Sequence, residues 1–233
     1  MLVAVISDVH LLGLDDPAQS DLVSLLDSLR CPTVVLLGDL FHFWWGFEGV
    51  VYADYVPVLA ALHRLRQRGS ELVFVPGNHD FAVGPFLREA LGARVTATLR
   101  LTLAGRRYLM VHGDEADSRP GYRIARRVLR GRPFAALMRA LGPQGARRLG
   151  LSLAGASGMA HGDGPDPALV DAQRRWAQAR ISAGEADVVV MGHSHAPEVR
   201  DLEGGLYVNT GDFAAQRTWL AIGDVPALRR WAG

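Results

Sequence analysis

The sequence contains no lysine: every one of its 25 basic residues is arginine, set against 24 acidic ones for a formal net charge of +1. We read the missing lysine as a codon preference. A charge so close to zero argues against a nucleic-acid binder held by bulk electrostatics. The single cysteine, Cys31, excludes an internal disulfide and any cysteine-cluster metal site. It stands between Arg30 and Pro32 at the foot of an apolar run, so a small buried hydrophobe is expected. No apolar stretch approaches the roughly 20 residues of a membrane-spanning helix. The apolar start lacks a basic leader and is interrupted by Asp8, which points to a cytoplasmic protein. There is no internal repeat and no long heptad series. What remains is an ordinary folded chain, 49% hydrophobic and 21% charged over 233 residues, enough for one domain with or without a lid.

Short apolar runs read as buried strands: Leu2–Ser7, Thr33–Leu37, Leu72–Pro76, Tyr108–Val111 and Val188–Met191. They do not alternate with polar residues, as expected where both faces of a sheet are covered. Helical stripes separate the first three. Leu22, Leu25, Leu26 and Leu29 recur within Asp21–Arg30, and Val58, Leu59, Leu62 and Leu65 within Tyr55–Arg68, which Gly69 closes. Strand–helix alternation predicts right-handed crossovers and a mostly parallel sheet. Arg94–Leu103, Arg106–Val111 and Gly205–Ile222 read as hairpin-rich additions with one turn at Ala104–Gly105. The fold class expected is an α/β sandwich of two sheets flanked by helices. Residues 116–185 differ: arginine is dense from Arg119 to Arg148, and Leu141-Gly142-Pro143 and Gly162-Asp163-Gly164-Pro165 are loop signals. This segment reads as a helical insertion, or lid, within a single domain spanning 1–233.

Polar clusters follow the apolar runs: Asp8-Val9-His10, Gly38-Asp39, Gly77-Asn78-His79-Asp80, His112-Gly113-Asp114 and Gly192-His193-Ser194-His195. Ligands of open α/β sheets bind outside the carboxyl ends of the strands, where these clusters fall. A lone histidine at a strand end is usually structural, but separate strands each delivering a metal-type donor to one rim require a common cause. Alternate residues on extended backbone share a side, so Asp8 and His10 are expected to converge, as are His193 and His195. The glycines permit tight turns or close backbone approach. Imidazoles with carboxylates and one amide oxygen suit manganese, iron or zinc. The donors are too many for one tetrahedral zinc and enough for two ions sharing a carboxylate, for which Asp39 is the candidate. Such a pair can clamp a phosphoryl group and activate water. His63, among arginines on a helix, is expected to be solvated. His161 and His42 are candidates for touching substrate.

In this order, D-x-H, G-D, G-N-H-D, a histidine after a strand and G-H-S-H resemble the calcineurin-like metallophosphoesterases, from Asp8 to about Asp212. The resemblance implies a four-layer α-β-β-α metallophosphoesterase sandwich. It implies that Asp8, His10, Asp39 and His195 hold one divalent transition-metal ion and Asp39, Asn78, His112 and His193 the other. Manganese is expected, with iron or zinc as alternatives. His79 then matches the family's acid or phosphate-stabilising histidine, with Asp80 orienting it.

Leu40-Phe41-His42-Phe43-Trp44 after Asp39, Asp80-Phe81, His112-Gly113-Asp114, Gly121-Tyr122 followed by Arg126-Arg127, and Tyr207 to Asp212 are similar to the UDP-2,3-diacylglucosamine hydrolases. That similarity implies attack on a pyrophosphate to give UMP and a lipid sugar 1-phosphate. Many of those hydrolases carry Arg where His79 stands, so there the sequence follows the broader family. The substrate expected is a phosphorylated small molecule, specifically a lipid-linked nucleotide sugar. Peripheral contact with the inner membrane surface fits it; no nucleic acid or protein partner is expected. Phe41, Phe43, Trp44, Trp45 and Phe47 suggest an aromatic cluster beside the metals, and Phe134, Leu137, Met138 and Leu141 a helical wall for acyl chains. Arg119, Arg123, Arg126, Arg127 and Arg130 suggest contacts to phosphate or to anionic headgroups. Candidate substrate contacts are therefore His42, Trp44, Arg119, Tyr122, Arg123 and Arg126. Two rival readings are a phosphodiesterase or nucleotide phosphatase for a small polar substrate, and a non-catalytic scaffold. The scaffold reading would favour loss of ligands, and none is missing.

Overall fold

A computed structural model describes residues 1–159 and 164–233, with side chains for all of these but 156–159. Strands β1 (Val3–Ile6), β2 (Thr33–Leu36) and β3 (Glu71–Phe74) are parallel neighbours, connected through α1 (Pro17–Ser28) and α2 (Val56–Gln67). A short helix α3 (Phe86–Glu89) leads into β4 (Arg94–Val95), which extends this sheet in parallel. Strands β5 (Leu99–Leu103) and β6 (Arg106–Met110) form a hairpin. Ala104 and Gly105 both take positive φ at its turn, 48° and 77°, which matches the right-handed twist of the strands. Helices α4 (Pro120–Leu129), α5 (Arg132–Met159) and α6 (Pro167–Ser182) follow, then β7 (Val188–Met191), β8 (Glu198–Leu202), β9 (Gly205–Asn209), β10 (Thr218–Ile222) and β11 (Pro226–Arg230).

The sheets run β11-β10-β1-β2-β3-β4 and β5-β6-β7-β9-β8. Their centres are parallel, and the antiparallel strands lie at the edges. Arg94–Leu103, read from sequence as one addition, divides between the two sheets. Each central strand sends alternate residues to two cores. Val3, Val5, Val35 and Val73 meet Met110, Val188, Val190 and Val208 between the sheets. Ala4, Ile6, Val34 and Leu36 meet Leu22, Leu26, Leu59 and Leu62 of α1 and α2. On the far side Val189, Met191 and Tyr207 pack on Ala177 and Ile181 of α6. The result is an α-β-β-α sandwich, and burial on both faces explains the uninterrupted apolar runs. Cys31 is 7% exposed inside this core.

Helix α6 thus belongs to the core layers, so the expected insertion over 116–185 reduces to α4 and α5. The Leu141-Gly142-Pro143 signal is a kink within α5, where Gly142 takes φ 66° and ψ 177°, a conformation open essentially to glycine alone. Gly162, Asp163 and His161 lie outside the described residues. No described helix is long and apolar enough to cross a membrane.

Helix α1 begins earlier than its leucine stripe suggests, because Asp16 accepts the Ala18 N–H at 2.9 Å and Pro17 opens the first turn. Asp166-Pro167 starts α6 in the same way. Asp16 also accepts the Leu12 N–H. Asp16→Ala is expected to cost about 1 kcal/mol, measured as a lower urea midpoint at unchanged slope.

Candidate metal centre

The strands stop short of the site. β1 ends at Ile6, β2 at Leu36 and β7 at Met191, and the donors follow on turns. Asp8, His10, Asp39, His193 and His195 all adopt positive φ, between 48° and 68°, a region that costs a residue with a side chain of order 1–3 kcal/mol. The expected cause of convergence, alternation along extended backbone, is therefore incorrect. Left-handed turns aim these side chains inward. Strain concentrated in this way, and sustained by surrounding packing, is a mark of functional sites. The glycines serve close approach: a Cβ on Gly38 would strike the His112 ring, on Gly77 the Asp39 carboxylate, and on Gly192 the Asp8 carboxylate.

Three groups of ligand-type atoms result among the described residues: His10, His42 and His79 form one, and the two that include a carboxylate are the candidates for metal. Asp8, His10 and His195 offer atoms within 4.8 Å of one another, and so do Asp39, His112 and His193. His195 Nε2 lies 3.3 Å from Asp8 Oδ1 and 3.3 Å from His10 Nε2. His112 Nε2 lies 3.2 Å from Asn78 Oδ1. One oxygen faces both groups, since Asp39 Oδ2 is 3.8 Å from His10 Nε2 and 3.4 Å from His112 Nε2. His193 Nε2 is buried without a hydrogen-bond partner, and the nearest carboxylate oxygen, on Asp117, is 3.9 Å away. An orphaned imidazole nitrogen beside histidine, carboxylate and amide donors fits a divalent transition metal. The sequence-selected Asp8, His10, Asp39, Asn78, His112, His193 and His195 are thus brought together on one rim.

Hydrogen bonds fix the donors. His112 Nδ1–H donates to the Leu37 carbonyl at 2.9 Å, which leaves Nε2 facing inward. The Asp8 carboxylate accepts the His193 N–H at 3.0 Å and the Ser7 hydroxyl, and Ser7 also meets Thr210. Asp39 Oδ1 accepts the His79 N–H at 2.8 Å. Burial opposes ionisation of Asp39, but His112, His79 and His10 hold it well below the usual carboxylate range. Burial, only partly countered by Asp39, pushes His10 down to about 3.

Asp80 does not orient the His79 ring as expected. Its carboxylate accepts the backbone N–H groups of Gly77, Leu40 and Asp39 at 2.8, 2.8 and 3.2 Å, tying the second and third loops together. Burial and neighbouring Asp39 raise it to about 6. The His79 ring is held instead by Nδ1–H donation to the His42 carbonyl at 2.9 Å.

A second polar tie escaped the sequence reading. Gln173 donates to the Gly192 carbonyl at 2.9 Å and accepts from Tyr207 and Asn209 at 3.0 and 3.1 Å. Asn209 in turn donates to Gly192 O and Ser194 Oγ, both at 2.9 Å. The signal was present: Gln173 interrupts the buried i, i+4 stripe Leu169, Ala177, Ile181.

Two cavities meet at this rim. One, of about 640 Å³, contains His10, Asp39, His193 and His195. The other, of about 480 Å³, is walled by Phe43, Trp45, Phe81, Ile124, Val128 and Phe134 beneath α4 and α5. His42, Asn78, His79, Tyr122 and Ala154 line both. The expected aromatic cluster is divided between two cores. Phe43 and Trp45 face the insertion, whereas Phe41 and Trp44 enter the main core. Trp44 is 1% exposed with its indole N–H on the Val83 carbonyl, and it lines the apolar cavity from within the main core. Met138 is buried against the aromatics, but Leu137 and Leu141 face solvent at 47% and 42% exposure, because the stripe of α5 is narrower than expected. Among the expected arginines, Arg119 pairs with Asp117 and Asp166, and Arg126 and Arg130 pair with Asp114. Tyr122 donates to Asp114 as well. These side chains fasten the insertion to the rim, while Arg123 is exposed.

The model of the calcineurin-like phosphoesterase family matches residues 1–197. A UDP-2,3-diacylglucosamine hydrolase of Chromohalobacter salexigens is 31% identical over all of this chain and 98% of its own length. One of Pseudomonas fluorescens is 28% identical over 96% and 87%. An archaeal phosphodiesterase shares the fold at a TM-score of 0.51 and 13% identity, covering 98% of this chain and 99% of that one. With most of the chain matched and the donors of that family's motifs gathered on one rim, the protein belongs to the calcineurin-like phosphoesterases and is a hydrolase of phosphate esters or anhydrides.

Proposed function

We propose that the chain hydrolyses the pyrophosphate of a UDP-2,3-diacylglucosamine-type lipid-linked nucleotide sugar, releasing UMP and a diacylated sugar 1-phosphate. Two divalent ions, manganese first among them, are assigned to Asp8, His10, Asp39 and His195 on one side and to Asp39, Asn78, His112 and His193 on the other. The observation that carries this reading is the joining of a donor-lined cavity to an apolar one. A small polar phosphodiester needs no such chamber. An acyl chain does, at about 0.8 kcal/mol per buried methylene. The names of the relatives support the same substrate class.

When bound, the ions polarise the phosphoryl group and acidify water. The chain's own residues position and transfer. Asp39 Oδ2, lying between both donor groups, would be the ligand that the two ions share. His79 has its Nδ1 proton committed to the His42 carbonyl, so a protonated His79 carries its second proton on Nε2, available to the leaving oxygen. Asp80 keeps the two loops in register. Helices α4 and α5 are the lid of the single domain 1–233, and exposed Ile124 and Val128 beside Arg123 and Arg127 suit peripheral contact with an anionic membrane.

A panel of acylated and plain UDP-sugars, assayed with added manganese, tests the reading. Acylated UDP-glucosamine should yield UMP at least about 100-fold faster than UDP-N-acetylglucosamine. Equal rates, or release of a nucleotide other than UMP, would overturn it.

A further inference from the structure

We infer that His42 donates a hydrogen bond to the leaving-group oxygen at the neck between the two cavities. The inference rests on the proposed direction of cleavage, in which the apolar part of the substrate leaves through the aromatic chamber. A bond from phosphorus to such a group must pass the residues common to both cavities: His42, Asn78, His79, Tyr122 and Ala154. Three of their polar atoms are already engaged. Asn78 Oδ1 meets His112, the His79 Nδ1–H goes to the His42 carbonyl, and the Tyr122 hydroxyl donates to Asp114. The His42 imidazole has no hydrogen-bond partner among the described residues, although it is half-buried. It lies with its ring centroid 5.6 Å from that of His79 and 6.2 Å from that of His10. Its ligand-type nitrogen is within 4.8 Å of theirs. A donor left unpaired at the constriction where charge develops on the departing oxygen is placed to stabilise that charge. As the bond from phosphorus to the leaving oxygen breaks, its electron pair stays on that oxygen. His42 offers it an N–H, and the neutralising proton comes from His79 or from water. Backbone geometry favours the assignment. Trp44 N–H donates to the His79 carbonyl at 3.3 Å and His42 N–H to the Leu11 carbonyl at 3.1 Å, so the segment that carries the ring is anchored at both ends.

The test is a series of methyl aryl phosphate diesters with leaving phenols from p-nitrophenol to phenol, hydrolysed by the full chain loaded with manganese. His42→Ala should retain two metal ions per chain. It should lose only about threefold on the nitrophenyl ester but roughly 10–100-fold on the phenyl ester, the range of a hydrogen bond to a charged group. His42→Gln, which keeps an N–H donor, should recover much of the phenyl rate. A uniform loss across the series, or a loss of metal, would show His42 to be merely structural or a ligand and would overturn the inference. The readout is independent of the lipid substrate. If acylated UDP-glucosamine is not cleaved but the leaving-group slope steepens, the substrate reading fails and the role of His42 stands.

Discussion

Asp39→Ala is expected to reduce turnover by at least about 10³-fold and to lower the metal content from two ions per chain. The size follows from position. Asp39 Oδ2 lies 3.8 Å from His10 Nε2 and 3.4 Å from His112 Nε2, between two groups that otherwise share no side chain. An anion between two cations offsets their mutual repulsion, and a neutral substitute does not. The other oxygen, Oδ1, accepts the His79 N–H at 2.8 Å, so the loop carrying the proposed acid loses its anchor as well. Asp39→Asn keeps the shape and removes the charge. It should therefore hold the loop yet still bind the second ion poorly. Elemental analysis after chelation and manganese add-back, paired with initial rates on a phosphodiester, gives the answer. Full activity with two ions retained in Asp39→Ala would end the two-metal scheme.

Gly77→Ala should lower turnover by about 10²-fold, although it adds one methyl group and removes no donor. The new Cβ would land on the Asp39 carboxylate and within 2.6 Å of the Asp39 backbone nitrogen. Gly77 cannot yield, because its N–H is held by Asp80 Oδ1 at 2.8 Å and its carbonyl by Arg130 at 3.2 Å. Asp39 cannot yield either, since its N–H is bound to the same Asp80. The misfit should also cost about 1–3 kcal/mol of stability. Gly69→Ala is the control: Gly69 is left-handed at φ 92° with no atom near the added carbon. It should lose stability by backbone strain alone and keep its rate. Equal rates for Gly77→Ala and the unaltered chain would remove close backbone approach as the reason for that glycine.

Periodicity carried the fold well. The stripes Leu22, Leu25, Leu26, Leu29 and Val58, Leu59, Leu62, Leu65 are all buried, and the unalternating runs are strands with two covered faces. It failed where more than one environment met a single run. Phe41 through Trp45 looked like one aromatic patch, but Phe41 and Trp44 serve one core and Phe43 and Trp45 another. The density of arginine over 119–130 suggested free cations, yet Asp114, Asp117 and Asp166 absorb Arg119, Arg126 and Arg130. Composition cannot reveal which charge meets which.

By itself the sequence determined the donor types, their order, their place just beyond apolar runs, and hence the class of chemistry. Those depend on residue identity and on short-range spacing, which a linear string contains. Only the tertiary structure decided how the donors converge, that Asp80 ties two loops and does not steer His79, and that Gln173 pins the Gly192 turn. Such choices rest on contacts like the His193 N–H with Asp8, 185 residues apart. They rest also on left-handed backbone at Asp8, His10, Asp39, His193 and His195. Local preference opposes that conformation, and only the surrounding packing and hydrogen bonds can impose it.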